Sequence, residues 1–268
     1  MHAPSTWHHG LIADWWATFN TDGPEIEHYG SYVRRGQPAL DAGCGAGRLL
    51  LPWVRAGLDV DGCDVSADMV ERCRAAAAAD GLEPTLFVQP LHELDPPRRY
   101  RTIVVCGVFG LGSTRAQDEE AILRLHAALE PGGTVLLDNE VPYSNAGRWR
   151  RWTREGRAEL PTPWSAEPDR RRAPDGTEFA LWNRTLAVDP LDQCVHMAMR
   201  AETSRDGRVL AREEHELSMR MWFRDEIVLM LRSAGFASVD VQAGCTERPP
   251  APDDETLLFV ARKPPSGA

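Results

Sequence analysis

Lysine is almost absent from this chain of 268 residues, because Lys263 is the only one and arginine supplies the remaining basic side chains. Acidic residues number 40 against 30 lysines and arginines, which gives a formal net charge of −10 at pH 7. A protein that binds nucleic acid along its phosphate backbone needs clustered basic side chains. The charge balance therefore argues against nucleic acid as the main partner.

Three further patterns are missing. The six cysteines form no C-x-x-C pair, and no apolar run approaches the roughly 20 residues of a membrane-spanning helix. The amino-terminal residues lack a basic stretch followed by an apolar core, which is the pattern of a secretory signal. The adjacent His8 and His9 have no recognisable further ligands, so no metal site is expected. These absences predict a cytoplasmic protein that does not associate with membranes.

An alternation of strand-like and helix-like segments is present instead. It runs from residue 38 to residue 140 and resumes over residues 222–268, where it predicts a Rossmann-like cofactor-binding domain. The predicted fold class is α/β, with a doubly wound, mainly parallel sheet of seven strands and an antiparallel β insert after the fifth strand.

Two other segments flank this alternation. Residues 1–37 carry several aromatic side chains in two helix-like stretches, and we expect them to form a helical lid. Residues 141–221 are expected to form an inserted substrate subdomain, irregular up to residue 177 and antiparallel β thereafter. A hairpin turn is predicted at Arg205-Asp206-Gly207-Arg208.

A glycine-rich loop, Asp41-Ala42-Gly43-Cys44-Gly45-Ala46-Gly47, joins the first predicted strand to the helix that follows. Glycines let the backbone approach a ligand closely, and the helix amino terminus favours a negatively charged group. A dinucleotide site prefers G-x-G-x-x-G, whereas here the third glycine comes one residue early. An acid before the first glycine also suits a cationic ligand end better than a pyrophosphate. The glycines alone leave both ligand classes open.

With Asp41, Gly43, Gly45 and Gly47 in this spacing, the sequence resembles the class I S-adenosylmethionine-dependent methyltransferases over residues 38–140 and again over 222–262. The resemblance implies that this loop holds the methionine part of S-adenosylmethionine. It also implies that Asp64, at the end of the second strand, accepts hydrogen bonds from both ribose hydroxyls. The cofactor-binding residues expected from it are Asp41, Gly43, Cys44, Gly45, Gly47, Asp64, Val65, Met69, Leu91, His92 and Cys106.

Adenine recognition is the point at which this sequence departs from the family. After the third strand the family often has an acid that accepts from the adenine amino group, and this chain has Gln89-Pro90-Leu91-His92 there. Backbone groups of Leu91 or His92 are the expected substitutes. Val65 and Met69 are expected to flank the adenine ring.

The acceptor should lie beyond the carboxyl ends of the strands, at the topological switch point of the sheet. The residues expected there or in the lid are Phe109, Asn139, Glu140, Tyr143, Trp7, Trp15 and Trp16. The three tryptophans could form a cation–π wall beside the sulfonium, although each could equally serve packing. His196 and His215, on the predicted hairpin, are the candidates for a general base if the reaction uses one.

These observations favour an enzyme that transfers the methyl group of S-adenosylmethionine to N or O of a small molecule, such as a natural product or an amino sugar. The substrate class rests on the resemblance alone, since methyltransferases with such an insert often act on small molecules. They place the insert over the site or use it to dimerise, so a homodimer is possible. Two alternatives stay open at this point: a protein that binds S-adenosylmethionine without transferring methyl, and an NAD-dependent oxidoreductase.

Overall fold

The structure, a computed structural model, describes residues 6–267. The first half contains, in order, α1 (Gly10–Phe19), α2 (Glu25–Arg35), β1 (Ala39–Ala42), α3 (Leu50–Arg55), β2 (Val60–Asp64), α4 (Ala67–Ala79), β3 (Leu86–Val88), β4 (Tyr100–Val105), α5 (Arg115–Ala128) and β5 (Leu129–Glu140). The second half contains α6 (Ala146–Arg150), α7 (Arg154–Arg157), β6 (Asp169–Arg172), β7 (Glu178–Asp189), β8 (Cys194–Arg205), β9 (Arg208–Arg220), α8 (Arg224–Ser233), β10 (Ser238–Ala243) and β11 (Thr256–Arg262). A single 3-10 turn, Leu91–Glu93, follows β3.

The larger sheet has seven strands in the order β10-β11-β5-β4-β1-β2-β3. All neighbouring pairs are parallel except those of β11, which runs antiparallel to both β5 and β10. This arrangement confirms the predicted α/β sheet. Because β1 to β4 are parallel, their carboxyl ends meet at one edge, and the loops that follow them are brought together there.

Helices cover both faces of this sheet. Successive residues of β4 point alternately to two buried apolar clusters, with Ile103 and Val105 in one and Val104 in the other. A strand buried on both faces needs apolar residues throughout, which explains why its sequence shows no alternation. The helix that follows it begins at a capping box in which Thr114 and Gln117 bond reciprocally to each other's backbone.

The inserted segment forms a second sheet of four antiparallel strands in the order β6-β7-β8-β9. The predicted hairpin joins β8 to β9, where Asp206 and Gly207 have φ of 51° and 75°, as a type I′ turn requires. The prediction for residues 141–177 was wrong in one respect, because β6 lies within it. Its sequence, Asp169 to Arg172, is charged and fully exposed, so it has no apolar alternation to mark it as a strand.

The amino-terminal helix α1 packs on one face of the four-stranded sheet. Its Ile12 and Trp15 lie in a buried cluster with Phe179, Met199 and other residues of β7, β8 and β9. The other side of this segment contacts the large domain, since Arg72 of α4 forms an ion pair with Asp14. The amino-terminal segment is therefore held between the insert and the seven-stranded sheet. Over residues 6–267, no helix combines the length and apolar character of a membrane span.

Candidate functional site

A cavity of about 480 Å³ opens at the carboxyl ends of β1 to β4. Four stretches of chain line it: the amino-terminal segment, the glycine loop with the start of α4, the turn after β3, and the loop from β4 into α5. Within the described residues 6–267, no residue of 141–221 is among those that line it. The insert therefore supports the amino-terminal segment that covers the cavity, rather than forming the wall itself.

The glycine loop is built so that only glycine fits at its turns. Gly43 and Gly45 have φ of 97° and 53°, a region that L-residues rarely adopt. A side chain on Gly43 would also place its Cβ 2.5 Å from a methyl of Val108. Gly47 has a different role, because a Cβ there would meet Leu51 and Cys73 and the residue does not line the cavity. Gly43 and Gly45 thus shape the cavity, and Gly47 allows α3 and α4 to pack closely.

Asp64, at the end of β2, points its carboxylate into the cavity. Its Oδ2 accepts a hydrogen bond of 2.9 Å from the Gly45 amide, and its Oδ1 accepts one of 2.8 Å from the Ser66 amide. These bonds fix the carboxylate and still leave each oxygen able to accept a second donor. A pair of adjacent hydroxyls, as on a ribose, fits this acceptor pair.

Asp41, at the end of β1, lies beneath the loop and is 1% exposed. Burial raises its pKa to about 7, and the nearby Arg48 guanidinium opposes that rise. Its Oδ2 is buried and has no hydrogen-bond partner among the described residues. A buried carboxylate with an unused acceptor suits the ammonium end of an amino acid, which is what the methionine part of S-adenosylmethionine presents.

Residues at the methionine end that the sequence reasoning missed are Arg48, Glu25 and Asp138. Arg48 contacts Glu25 at 2.8 Å and the Cys106 sulfur at 3.4 Å. Asp138 accepts from the Gly107 amide at 2.5 Å and from the Tyr29 hydroxyl at 2.9 Å, and thereby fixes the turn after β4. The position of Arg48 directly after the third glycine could have marked it as a site residue. Glu25 in α2 and Asp138 in β5 could not be found in this way, because only the fold brings them to the site.

The predicted cofactor residues, with one exception, line the cavity. These are Asp41, Gly43, Cys44, Gly45, Asp64, Val65, Met69, Leu91, His92 and Cys106, and the exception is Gly47. They divide along the cavity into a methionine end around Asp41 and Cys106 and a nucleobase end around Val65 and Leu91. The residues present therefore fit S-adenosylmethionine, although their individual roles stay predictions.

Of the predicted acceptor residues, only Trp16 lines the cavity. Trp7 and Trp15 are buried against the insert sheet, Phe109 packs against Trp222, and the Asn139 amide donates to the Trp222 carbonyl at 2.9 Å. Tyr143 stacks on Phe223 outside the cavity, and Glu140 pairs with Arg148 on the surface. The structure thus gives these side chains packing contacts, because the insert redirects the chain away from the cavity after β5.

The two histidines proposed as bases also lie outside the cavity lining. His196 is exposed on β8 and contacts the Ser218 hydroxyl at 2.9 Å, and His215 lies 3.3 Å from the Glu213 carboxylate. The histidines that do line the cavity are His8 and His92. Burial, followed by the neighbouring His9, lowers the pKa of His8 to about 4. In the range 6–267, no group of His, Cys, Asp or Glu side chains has an arrangement that could hold a metal ion.

Comparison with known proteins places these features in a family. Residues 39–133 match a family described as "Methyltransferase domain". A Geobacillus protein (strain WCH70) that is named as a methyltransferase is 24% identical over 237 residues, 87% of each chain. The solved structure of the CcbJ methyltransferase from Streptomyces caelestis aligns with a TM-score of 0.71 at 20% identity, covering 98% of this chain and 100% of that one. The structure of SAM-bound CalS10, an amino pentose methyltransferase from Micromonospora echinaspora, aligns with a TM-score of 0.62 at 17% identity. The alignment covers 98% of this chain and 100% of that one.

Residues 39–133 are a methyltransferase domain, and most of the chain shares the fold of an S-adenosylmethionine-dependent methyltransferase, whose cofactor the residues of the cavity fit. The domain match covers the glycine loop, Asp64 and the turn after β3, which are the parts of the cavity that the sequence assigned to the cofactor. The structural likenesses extend the same fold to the insert and to α8, β10 and β11. The two alternatives, a nicotinamide oxidoreductase and a binding protein without transferase activity, are not favoured.

Proposed function

We propose that this enzyme methylates a nitrogen or oxygen of a small molecule, and that an amine nitrogen is the preferred acceptor. The observation that carries the proposal is the cover over the cavity. Residues 6–25 lie across its open side and contribute His8, Trp16, Asn20 and Glu25 to its wall. A macromolecular substrate needs a groove that is open along its length, whereas a covered cavity admits a small molecule.

The cover is fastened on two sides at the amino-terminal end of α1. The Ser66 hydroxyl donates to the His8 carbonyl at 2.5 Å, and the Gly10 amide donates to the Asp68 carboxylate at 2.8 Å. On the other side the Leu11 amide donates to the Glu213 carboxylate at 2.8 Å. These bonds join the segment both to α4 and to the insert sheet, so an acceptor enters a site with walls on several sides.

The charged groups in the cavity favour an amine. Asp22, Glu25 and Asp118 line it, and Arg48 is the basic side chain that faces them among the described lining residues. An excess of carboxylates attracts a cationic acceptor before it loses its proton. A hydroxyl acceptor would instead need a base, and His8 with a pKa of about 4 is a weak one.

S-adenosylmethionine supplies an electrophilic methyl group on its sulfonium when it is bound. The residues of this chain have only to position and enclose the reactants. Asp64 and the glycine loop orient the cofactor, the turn at Cys106 and Gly107 borders the methionine end, and Trp16 helps to exclude water. Holding two reactants in line in this way can account for much of the acceleration of a displacement. The likeness to CalS10, an amino pentose methyltransferase, agrees with an amine acceptor but does not identify it.

Formation of S-adenosylhomocysteine with panels of small molecules tests the proposal. We expect turnover with small primary or secondary amines, amino sugars among them, and slower turnover with matched compounds in which hydroxyl replaces the amine. Total RNA and protein extracts serve as the macromolecular comparison. Faster turnover with RNA or protein than with every amine would overturn the small-molecule assignment. The possible homodimer remains a separate prediction, which sedimentation of the purified enzyme tests.

A further inference from the structure

We propose that this enzyme recognises the adenine ring of its cofactor with two side-chain donors, Gln89 Nε2–H and His92 Nδ1–H, which meet ring-nitrogen acceptors. The inference rests on the cofactor placement argued above. It follows from the hydrogen bonds that orient the Gln89 amide group and the His92 ring.

The nucleobase end of the cavity lies directly beyond Asp64. Val65 is 37% exposed, and its side chain and Leu91 supply two apolar walls. The Gln89 amide donates to the Asp64 carbonyl at 2.9 Å, which places Gln89 beside the ribose end. His92 follows within the 3-10 turn, and both residues line the cavity.

The Gln89 side chain has a donor group that is not used in its contacts with the described residues. Its Oε1 accepts a hydrogen bond of 3.0 Å from the Asp95 amide, which is a donor and so fixes the orientation of the Gln89 amide group. The Nε2 group is left with two protons to donate. It can bond a ring nitrogen but cannot accept from an amino group.

The tautomer of His92 is fixed through Gln117. The Gln117 Oε1 accepts from the Thr114 amide at 2.8 Å, so its Nε2 is the atom 3.1 Å from His92 Nε2. An amide nitrogen only donates, and His92 Nε2 must therefore accept. The proton of the neutral ring is then on Nδ1, which becomes the second donor at this end of the cavity.

The carboxylate and carbonyl acceptor atoms near these donors each already hold one hydrogen bond. Asp118, the carboxylate on the same helix as Gln117, accepts from the Ser113 hydroxyl at 2.5 Å and from the Trp222 indole at 2.9 Å. The carbonyls of Pro90 and Leu91 accept from the amides of the 3-10 turn and of Leu94. The local polarity thus matches a base edge that accepts, which for adenine means N1, N3 or N7.

Titration calorimetry with S-adenosylhomocysteine and edited analogues tests this polarity. The probes are the 6-deamino analogue, which lacks only the amino group, and the 1-deaza, 3-deaza and 7-deaza analogues, each lacking one ring nitrogen. We expect the 6-deamino analogue to lose less affinity than the most sensitive deaza analogue. At least one deaza analogue should bind about tenfold more weakly, the loss expected for one or two neutral hydrogen bonds.

Two variants assign the donors. Gln89→Glu keeps the size and the bond from Asp95 but replaces the donor by an acceptor, and His92→Phe keeps a ring but removes the donor. Each should weaken binding of the parent compound, and one of them should abolish the penalty of the sensitive deaza analogue. Glu83→Gln, on the exposed segment before β3, is the matched control and should leave all Kd values unchanged.

The outcomes separate this inference from the cofactor assignment. A tenfold loss for the 6-deamino analogue with no loss for any deaza analogue would overturn the inference while leaving the cofactor in place. A deaza penalty that persists in both variants would also overturn it. Absence of binding of S-adenosylhomocysteine itself to the wild-type protein would overturn the cofactor placement and this inference together.

Discussion

The two ends of the cavity are built in different ways. At the cofactor end, most of the groups predicted to bind follow one another closely in sequence, from Asp41 to Met69, and are fixed by the ends of β1 and β2. At the acceptor end, the wall comes from α1, whose position depends on an ion pair to α4 and on packing against the insert. The cofactor end is therefore a local structure, and the acceptor end exists only when distant segments assemble.

The largest effect is expected for Asp64→Ala. Its loss leaves two ribose hydroxyls without acceptors, which should weaken S-adenosylhomocysteine binding by about 1–3 kcal/mol, or roughly tenfold to a hundredfold. Calorimetry well below the unfolding temperature measures this. Asp80→Ala, at the exposed carboxyl end of α4, is the control and should bind normally. Unchanged binding by the Asp64 variant would show that the cofactor does not bind at this position.

Gly43→Ala should damage the cofactor end through strain. The residue has φ of 97° and its new Cβ would meet Val108, so we expect a loss of about 1–3 kcal/mol in unfolding free energy and weakened cofactor binding. Gly57→Ala provides the comparison, because it has φ of 77° but no atom within 4 Å of its Cβ. Denaturant unfolding of both variants separates backbone strain from the clash. Equal losses of unfolding free energy in the two variants would show that the contact between the new Cβ and Val108 does not destabilise the protein.

The pH dependence of binding should reveal Asp41. Its pKa is raised to about 7, so the carboxylate becomes protonated as pH falls from 8 to 6 and loses its attraction for an ammonium group. We expect Kd for S-adenosylhomocysteine to rise several-fold over that range. The folding stability should change with pH in the opposite direction. Because the pKa of Asp41 is higher in the folded than in the unfolded state, ionised Asp41 lowers the free energy of unfolding above pH 7, and this loss becomes smaller as pH falls below 7. Asp41→Asn should flatten the binding profile, and a profile identical to wild type would remove Asp41 from the explanation.

The smallest effect is expected for Arg72→Ala, at the acceptor end. Arg72 donates to the Asp14 carboxylate at 2.8 Å and to the Gly10 carbonyl at 3.2 Å, so its removal loosens the cover. We expect KM for the acceptor to rise a few-fold while Kd for the cofactor product stays constant. Arg74→Ala on the same helix, whose partner Glu71 is exposed, should change neither constant. Equal changes in both constants for Arg72→Ala would show that the two ends are not separable.

The sequence predicted one end of the site much better than the other. Ten of the cofactor residues it indicated line the cavity, because a strand, a turn and a helix place near neighbours in sequence at one point in space. Of the aromatic residues expected around the acceptor, Trp16 alone does so. Trp7 and Trp15, equally aromatic and equally close in sequence, face the insert sheet instead, and no local pattern distinguishes the two faces of α1.

What the sequence by itself indicated was the class of cofactor: the glycines left a dinucleotide open, and Asp41 before them with Asp64 after the next strand gave the resemblance to S-adenosylmethionine sites. The tertiary structure alone decided what covers that ligand and which atoms face its base. The polarity of Gln89 and His92 is set by Asp95 and Gln117, and the cover is set by Arg72 and the insert sheet. Both features depend on which groups, distant in sequence, contact each side chain in the folded protein. The spacing of residues in the sequence does not reveal these contacts.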